Sequence, residues 1–460
     1  GTAFVVLHTV DDLRASSYLF CRLAREHRTR IAVLLTRYYE SVDIASEGTC
    51  DLPFHVAADP GGGLRSWLET LRTGQHSPDI IFMAFDAALV EEPSLAWVQS
   101  QFPAAVVVRL PREDLQVSDW MGSLTVDEWK NWHKPEVEAS IITRDRPQSL
   151  QRLFASLSEA YFYGDRLNIR INLEQDADVE TFEVVQRFAA SWPHGTVSVQ
   201  HRVVRGGLLP AVVESWYPRT DDSHGLLLED DVELSPLFYA WTKMALLRYR
   251  YGVPAPGAAR LFGISLYQQK SNELHADGRR AFDARALFAA HPAVAHAGAP
   301  YLSQVPCSWG AVYFPDAWRA FHAYLALRLS GRLLAPGAAV APPGLRSNAW
   351  ARSWKKFFIE LAYLDGRAML YPNYAGFASL STNHLERGSH VKVRSREKRE
   401  MFQVPLMRAA GGARALLADM PGEGLPALGD LPVLDLTGGV TSLEEIAAVG
   451  RARREELHAC

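Results

Sequence analysis

The stretch "HGLLLEDDVELSP", residues 224–236, decides how the rest of the chain is interpreted. Three leucines run directly into three acids, Glu229, Asp230 and Asp231, and the sequence then turns apolar again before a Ser-Pro stop. The aliphatic run is typical of a buried strand. Adjacent carboxylates at the end of such a strand repel one another and are costly to desolvate. The pattern therefore indicates either a divalent cation held by hard oxygen ligands or a solvated acidic turn.

Upstream of this stretch, strand-like and helix-like segments alternate. The strand-like runs are "VEASIIT", "LNIRINL" and "TVSVQH", and helix-like segments follow them, as in "QSLQRLFASLSEAYF". Such alternation predicts an α/β fold with a right-handed, mostly parallel sheet flanked by helices. Ligands of these sheets bind beyond the carboxyl ends of the strands. The loops after Ile142, Leu173 and Leu228 are therefore expected to meet in one crevice.

Residues 1–130 show the same alternation, with strand-like runs such as "AFVVLHTV" and "PDIIFMAFD". They predict an additional N-terminal α/β, Rossmann-like layer. The stretch "DPGGGL", residues 59–64, lacks the Lys-Ser/Thr of a P-loop and the spacing of a dinucleotide fingerprint, so it is predicted to be a turn. This layer offers no catalytic constellation. It is a packing or acceptor-recognition domain, or a nucleotide-binding fold that has lost its ligand.

We expect three divisions of the chain: the N-terminal layer at 1–130, a catalytic domain at 136–400 and a C-terminal extension at 401–460. The extension contains one more strand-like run, "LPVLDLTG", and one helix-like run, "SLEEIAAVGRARREEL". We expect it to pack back on the N-terminal layer. The Ala/Pro/Gly-rich stretch 330–345 is predicted to be a loop.

Composition limits the function. Apolar residues make up 48% and charged residues 22% of 460 positions, and the net charge is −4, which gives no reason to expect a nucleic acid partner. Basic residues gather in 387–399, as a solvated face or an anion-binding strip. No apolar run is long enough to span a membrane, and the chain starts "GTAF" without Met, so an anchor is expected only if upstream residues were removed.

Four cysteines are too few and too scattered for a disulfide scaffold or a zinc site. One bridge, between Cys21 and Cys50, is compatible with a secretory compartment. The sequence leaves it undecided.

Polar side chains follow the ends of the strand-like runs. Thr143, Arg144, Asp145 and Arg146 come after the first run. Arginine binds phosphate in a bidentate manner, whereas aspartate accepts hydrogen bonds from a ribose hydroxyl or a base N–H. An Arg-Asp pair at a helix start is more often an N-cap with a neighbouring salt bridge.

Two further segments add to this set. Asp176 follows the second run, and Arg205 and Gly206 precede a helix-like segment in "RGGLLP". Backbone N–H groups at such a glycine turn are able to approach a diphosphate.

Together, "TRDRP", "LEQDAD" and "LLLEDDVELSP" resemble the nucleotide-binding half of a GT-A fold, family 2-like glycosyltransferase. They are similar in particular to N-acetylglucosaminyltransferase I, whose motifs in the same order read CDR, SQD and EDD followed by an apolar-Pro segment. The resemblance covers residues 137–240. It implies a UDP-sugar donor, Mn²⁺ or Mg²⁺ at the EDD motif of the DXD type, and a glycan or glycoconjugate acceptor.

The resemblance also implies roles for single residues. Arg146 and Asp176 would line the uridine pocket, Glu229 and Asp230 would face ribose and sugar, and Asp231 would bind the metal. The remaining candidates would line the same donor site: Thr143, Arg144, Asp145, Arg205 and Gly206.

Downstream, "CSWGAVYFPDAWRAF", residues 307–321, resembles the acceptor side of such enzymes, although a core helix with packed tryptophans explains it equally well. The family's Trp-Asp-Asp-Trp base motif is missing, because Ala, Arg and Ser stand between Trp350 and Trp354. Asp316, Glu360 and Asp365 are the nearest carboxylates for a base, so inversion or retention stays open.

The resemblance also implies a late histidine that binds the metal or diphosphate, and His384, in "STNHLERGSH", is the candidate, with a structural histidine as the alternative. By analogy alone, the protein would work in the Golgi or another secretory lumen as the soluble part of a type II membrane protein.

Two other functions compete with a hexosyl- or N-acetylhexosaminyltransferase. A nucleotidyltransferase usually has a Gly-rich loop after its first strand, and "TRDRPQSL" lacks the glycines. A non-catalytic sugar-nucleotide or glycan-binding module is favoured by the missing base. The donor sugar, the acceptor and the linkage are not readable from the residues.

Overall fold

The computed structural model describes residues 1–36, 50, 52, 54–56, 63–74, 77–86, 95–332, 339–386, 400–409 and 413–459. The glycines at 61–62 and the basic run 387–399, both discussed above, lie outside the described residues. The expected architecture is confirmed: parallel sheets are flanked by helices, and an additional α/β layer precedes the main one.

The N-terminal sheet is wholly parallel, with the strand order β3-β2-β1-β4-β5. Its strands and helices are β1 (Thr2–Leu7), α1 (Val10–Glu26), β2 (Arg30–Leu35), β3 (Phe54–Val56), α2 (Gly63–Thr73), β4 (Ile80–Phe85), α3 (Leu95–Gln101), β5 (Val106–Pro111) and α4 (Val126–Lys130). A disulfide between Cys21 and Cys50 ties α1 to the segment before β3. The bridge that the sequence left undecided is therefore present.

The start of α1 lies where a phosphate would bind in a nucleotide-binding sheet of this order. Thr9 caps the helix, and the Asp12 carboxylate accepts hydrogen bonds from the backbone N–H groups of His8 and Thr9. Arg112, which follows β5, binds the same carboxylate with Nη2 at 2.8 Å. The chain's own carboxylate and guanidinium thus fill this position.

The larger sheet has ten strands in the order β19-β18-β14-β16-β11-β15-β9-β6-β7-β8, and β10 pairs separately with β17. Its first half comprises β6 (Glu136–Thr143), α5 (Pro147–Ser158), β7 (Asn168–Leu173), α6 (Val179–Ser191), β8 (Val197–His201), α7 (Leu208–Val213), β9 (Ser223–Glu229), β10 (Val232–Leu234) and α8 (Phe238–Tyr249). The second half comprises β11 (Leu261–Ser265), β12 (Ser271–Asn272), β13 (Arg280–Ala281), α9 (Ala284–Ala290), β14 (Tyr301–Ser303), β15 (Ala311–Tyr313), α10 (Pro315–Ser330), α11 (Trp354–Asp365), β16 (Ala368–Tyr371), β17 (Ser381–Asn383), β18 (Val433–Leu434), β19 (Val440–Thr441) and α12 (Leu443–Ala459).

The direction of each strand fixes what meets at each edge of this sheet. Strands β6, β7, β8 and β9 are parallel, β15 runs against β9, and β11 and β16 run with β9 again. We call the edge where β6, β7 and β9 end the carboxyl edge, and the opposite one the amino edge. The carboxyl edge therefore also receives the ends of β11 and β16 and the start of β15.

The C-terminal segment contacts both parts of the molecule. The Arg22 guanidinium on α1 donates to the carbonyl of Gly422 at 3.0 Å. By contrast, β18 pairs with β14 in the larger sheet, and α12 packs on α11. The helices meet at Gly366, whose φ is +58° and where an added Cβ would lie 2.4 Å from the Cα of Ala447.

A continuous hydrophobic core joins the two sheets. It includes the fully buried indoles of Trp120, Trp129 and Trp132, of which Trp132 stacks on both others. Lys243 on α8 is also buried here, and its ammonium binds the Asp165 carboxylate at 2.6 Å. Among the described residues, no helix is long and apolar enough to cross a membrane.

Candidate functional site

Asp230 is the best anchored member of the acidic turn between β9 and β10. Its carboxylate accepts one hydrogen bond from the Thr143 hydroxyl at 2.9 Å and another from Arg146 Nη1 at 3.0 Å. Only 6% of Asp230 is exposed. Burial raises the pKa of this carboxyl, and Arg146 opposes the rise. The residues that follow β6 and those that follow β9 therefore meet, as the sequence predicted.

Asp231 is held from the other side of the turn by β17. Asn383 Nδ2 donates to Asp231 Oδ1 at 3.0 Å, and Arg146 Nη1 lies 3.7 Å from Asp231 Oδ2. Burial and the neighbouring Asp230 raise the pKa of Asp231 from 3.8 to about 7. Asn383 was not among the predicted site residues, although it stands in the same stretch as His384.

Glu229, the last residue of β9, completes an excess of negative charge. Burial and the two following aspartates raise its pKa from 4.5 to about 8, against the opposing charges of Arg146 and Lys355. Three carboxylates thus lie around one closely paired guanidinium. Additional positive charge at this place would lower all three pKa values and favour the ionised forms.

The second strand end contributes a cluster of opposite charges. Arg144 Nη2 lies 2.9 Å from Asp176 Oδ2, and Arg205 Nη1 lies 3.7 Å from the same oxygen. Asp145 Oδ2 lies 3.6 Å from Arg144 Nε. These side chains are partly exposed, so a ligand in the crevice is able to reach them.

Gly206 does not offer the free N–H that the sequence analysis expected. The N–H groups of Gly206 and Gly207 donate to the Glu174 carboxylate at 3.3 and 3.0 Å. Burial acts to raise the pKa of Glu174, but these donors and the N–H of Gln175 bring it below its ordinary value. An acidic residue of this chain, not an external diphosphate, therefore satisfies these donors.

His384 contacts the acidic turn with its backbone, not with its ring. Its N–H donates to the Asp231 carbonyl at 2.8 Å, whereas its Nε2 lies 2.6 Å from the Glu233 carboxylate. The carboxylate of Asp231 and the ring of His384 thus have different partners.

The acidic turn suits a divalent cation only in part. Within the described part of the chain, no group of three or more His, Cys, Asp or Glu side chains has the arrangement of a metal site. Mg²⁺-type ions, however, are commonly held by one or two carboxylates together with substrate phosphates. The raised pKa and partly exposed carboxylate of Asp231 fit that arrangement. The ring of His384 fits it less well, because Nε2 is already paired.

The three candidate bases do not lie at this site. Tyr313, at the end of β15, pairs with Gly225 near the start of β9, so Asp316 lies at the amino edge. Asp316 binds Arg250 at 2.7 Å and Arg367 at 3.3 Å. Asp365 precedes β16 at the same edge and pairs with Arg367 and Arg454. The antiparallel direction of β15 carries its following helix away from the acidic turn.

Glu360 lies in the interior, with 1% exposed. Its carboxylate accepts hydrogen bonds from Arg328 Nε at 2.9 Å and from the Tyr324 hydroxyl at 2.7 Å, which joins α10 to α11. A substrate cannot reach a carboxylate at this depth. All three proposed bases are therefore structural ion pairs.

Comparisons with known proteins give limited matches. A family model described as "SPBC1E8.03c C-terminal domain" matches residues 146–260 and 263–332, less than half of the chain. No curated protein matches.

Three solved structures are similar at low identity. The mannosyltransferase PcManGT from Pyrobaculum calidifontis, in complex with GDP-Man and Mn²⁺, is 11% identical over 41% of this chain and 47% of that one, with a TM-score of 0.28. S. aureus TarS 1–349, alone and in complex with UDP, is 10% identical over 52% of this chain and 58% of that one, with the same TM-score. The chain thus spans about half the length of these structures.

Proposed function

We propose that the chain is a glycosyltransferase that moves a sugar from a UDP-sugar to a glycan or glycoconjugate acceptor, with residues 136–400 as its catalytic part. One observation carries the proposal. The carboxyl edge collects Thr143 and Arg146 around a largely buried acidic turn whose carboxylates have raised pKa values, and Asp176 follows the neighbouring parallel strand β7 at the same edge. Ligands of parallel sheets bind at this edge, and a site so charged suits a phosphate–cation pair.

The nucleoside would lie beside Arg144, Asp176 and Arg205. Asp176 forms ion pairs with both arginines and keeps a partly exposed carboxylate, which suits a ribose hydroxyl or a base N–H. The two guanidiniums are fit to face phosphate oxygens. The resemblance assigned Asp176 to the uridine pocket, and this arrangement supports that role.

The acidic turn would hold Mn²⁺ or Mg²⁺ through Asp231, with Glu229 close by. A bound cation would supply charge that neutralises the diphosphate leaving group. Asn383 orients the Asp231 carboxylate, and Thr143 and Arg146 hold the Asp230 carboxylate in place. Arg146 would also face the phosphates, because its guanidinium lies between the two aspartates.

The test is UDP release from a panel of UDP-sugars, with Mn²⁺ and with EDTA, in the wild type and in Asp231→Asn. We expect metal-dependent release from one donor, lost in the variant. Asp221→Asn is the matched control, because the Asp221 side chain is 90% exposed and pairs only with Arg319 among the described contacts. Absence of UDP binding under all conditions would contradict the proposal.

A second candidate is a sugar-nucleotide-binding module without transfer activity. It is favoured by the position of Asp316, Glu360 and Asp365, none of which reaches the acidic turn. Metal-dependent UDP binding without release from any donor, with and without a panel of glycan acceptors, would favour this candidate.

We also propose that the protein works in a secretory lumen. Disulfides persist in oxidising compartments, and the Cys21–Cys50 bridge supports such a location. Localisation of the tagged full-length protein in its own cells would test it, and a reducing compartment would contradict it.

A further inference from the structure

Strand β8 is the last strand of the ten-stranded sheet, and its outer side pairs with no strand among the described residues. Every residue of β8 after Val197 is exposed. The two valines that follow the strand, Val203 and Val204, are 90% and 76% exposed. Such an edge presents unpaired backbone N–H and C=O groups, so it is a template for another strand.

The pairing of β8 with β7 determines which of its backbone groups point outwards. The two strands are parallel, and the Arg202 N–H donates to the Leu173 carbonyl on β7. Backbone groups of residues two apart in a strand point to the same side, so those of Ser198 and Gln200 also point to β7. The groups that point outwards belong to Val197, Val199 and His201.

The sequence of this edge lacks the residues that usually prevent edge pairing. Residues 197–201 read "VSVQH", without Lys, Arg, Asp, Glu or Pro. Natural edge strands are commonly protected by charged side chains, by Pro or by a bulge. The register of β8 with β7 is regular from Val197 to His201, so no bulge bends the strand away. The edge is therefore suited to pairing with another strand.

Helix α6 lies beside this edge and turns an uncharged side towards it. The ring centroids of Phe182 on α6 and His201 on β8 lie 4.9 Å apart, whereas Phe188 stacks on Phe154 of α5. Residues three, four and seven positions from Phe182 share its side of the helix. They are Val179, Gln186 and Ala189, and Val179 is 74% exposed. The strand edge thus continues into an uncharged helix surface.

The distribution of charge favours a second copy of this chain as the occupant. Each copy has a net charge of −4, so two copies meet most readily through surfaces without acidic side chains. The arginines nearest to the edge already have partners. Arg170 donates to Asn172 Oδ1 at 3.1 Å and to Gln200, and Arg202 donates to Glu214 Oε2 at 2.7 Å. Like charges therefore do not face each other when two such edges meet.

We propose that two copies pair through β8, antiparallel about a two-fold axis at Val199, so that one sheet continues through both. Val199 faces Val199 of the second copy, and Val197 faces its His201, in backbone hydrogen-bonded pairs. The outward groups are placed symmetrically about Val199, as an interface between identical surfaces requires. The exposed Val203 then lies beside Gly195 of the second copy. The proposal concerns assembly and does not depend on the transferase function.

Sedimentation equilibrium of the full chain measures the assembly. We expect twice the mass of one chain at about 100 µM, with a Kd in the micromolar range that is typical of a small interface. Val199→Lys should raise the Kd roughly tenfold or more, because two lysines would face each other across the axis. Val253→Lys is the matched control and should leave the Kd unchanged, because Val253 is 74% exposed and lies outside this surface. Melting temperatures show whether each variant folds.

Cysteine variants test the register, in a Cys460→Ser background. The Cα atoms of a hydrogen-bonded antiparallel pair lie about 5.5 Å apart, within the range of a disulfide. Val199→Cys should therefore form a disulfide between two copies under mild oxidation. Val197→Cys is the matched control, because it would lie about 14 Å from its equivalent, four residues along the strand. It should form the dimer but not the disulfide.

A chain that stays monomeric at this concentration would overturn the second copy as the occupant, and the edge would then fit an extended segment of another protein. A dimer that Val199→Lys leaves intact would overturn the β8 interface. Equal cross-linking of the two cysteine variants would overturn the register. Larger species that grow with concentration would overturn the closed two-fold pair.

Discussion

At the scale of single residues, Asp231 combines an unfavourable charge with the position proposed for the metal. Its pKa rises from 3.8 to about 7 because it is buried beside Asp230. A carboxyl whose pKa is raised on folding binds protons more tightly in the folded state. Its ionisation therefore lowers the free energy of unfolding as pH rises from about 4 through about 7.

Asp231→Asn should stabilise the protein at pH 8 and not at pH 4. The amide keeps an acceptor for Asn383 but carries no charge, so we expect a gain of roughly 1–3 kcal/mol at pH 8. Thermal unfolding at both pH values in EDTA measures it, with Asp221→Asn as the control. A variant no more stable than wild type at pH 8 would contradict the charge repulsion inferred here.

Sequence reasoning located the acidic turn because three carboxylates after a leucine run are visible in the chain itself. It missed the ring contact of His384 with Glu233, because this partner comes from a distant segment of the chain. Pairings set by tertiary packing leave no local signal.

At the scale of elements, the three candidate bases show that strand direction, and not closeness in the sequence, decides which edge of the sheet a residue reaches. Asp316 follows directly after the acceptor-like segment, yet β15 is antiparallel to β9 and ends at the amino edge. The sequence predicted the parallel strands β6, β7 and β9, because helices separate them. It contained no sign that β15 reverses.

Glu360→Gln should destabilise the packing of α10 on α11 without a direct effect on chemistry. The change removes the Glu360 charge from its ion pair with the buried Arg328 guanidinium, which costs about 3–5 kcal/mol. Chemical denaturation measures the loss, and UDP release per folded molecule should be unchanged at low temperature. The exposed Glu444→Gln on α12 is the control, and a selective loss of release would restore a catalytic role.

Asp12→Asn should weaken the start of α1. The carboxylate receives two backbone N–H groups and Arg112, so we expect a loss of about 1–2 kcal/mol in the free energy of unfolding. The neighbouring Asp11→Asn should change little, because the Asp11 side chain is 85% exposed. Equal effects of both changes in thermal unfolding would show that the contacts of Asp12 do not add to the stability of the fold.

At the scale of the whole molecule, the two sheets share one core. Trp120, Trp129 and Trp132 pack among side chains of both, and Lys243 binds Asp165 beneath them. The sequence predicted two α/β layers, but not how closely they join. It also did not predict that β18 and β19 would extend the larger sheet.

Cys50→Ser should therefore lower the stability of the entire chain. The bridge closes a separation of 29 residues, and its loss costs about 3–4 kcal/mol by the chain-entropy relation. Differential scanning calorimetry should show one transition displaced to lower temperature. Two separate transitions, of which only the first moves, would show that the layers unfold independently.

Trp309 also gives this protein an optical signal. Its indole, in the segment before β15, is partly exposed, as are those of Trp67, Trp97 and Trp350, whereas those of Trp120, Trp129, Trp132, Trp241 and Trp318 are fully enclosed. A quencher dissolved in water would reach the partly exposed indoles and not the enclosed ones. A ligand that covers Trp309 would then be visible as protected emission that is absent in Trp309→Phe, which makes the protein its own fluorescent titration reagent.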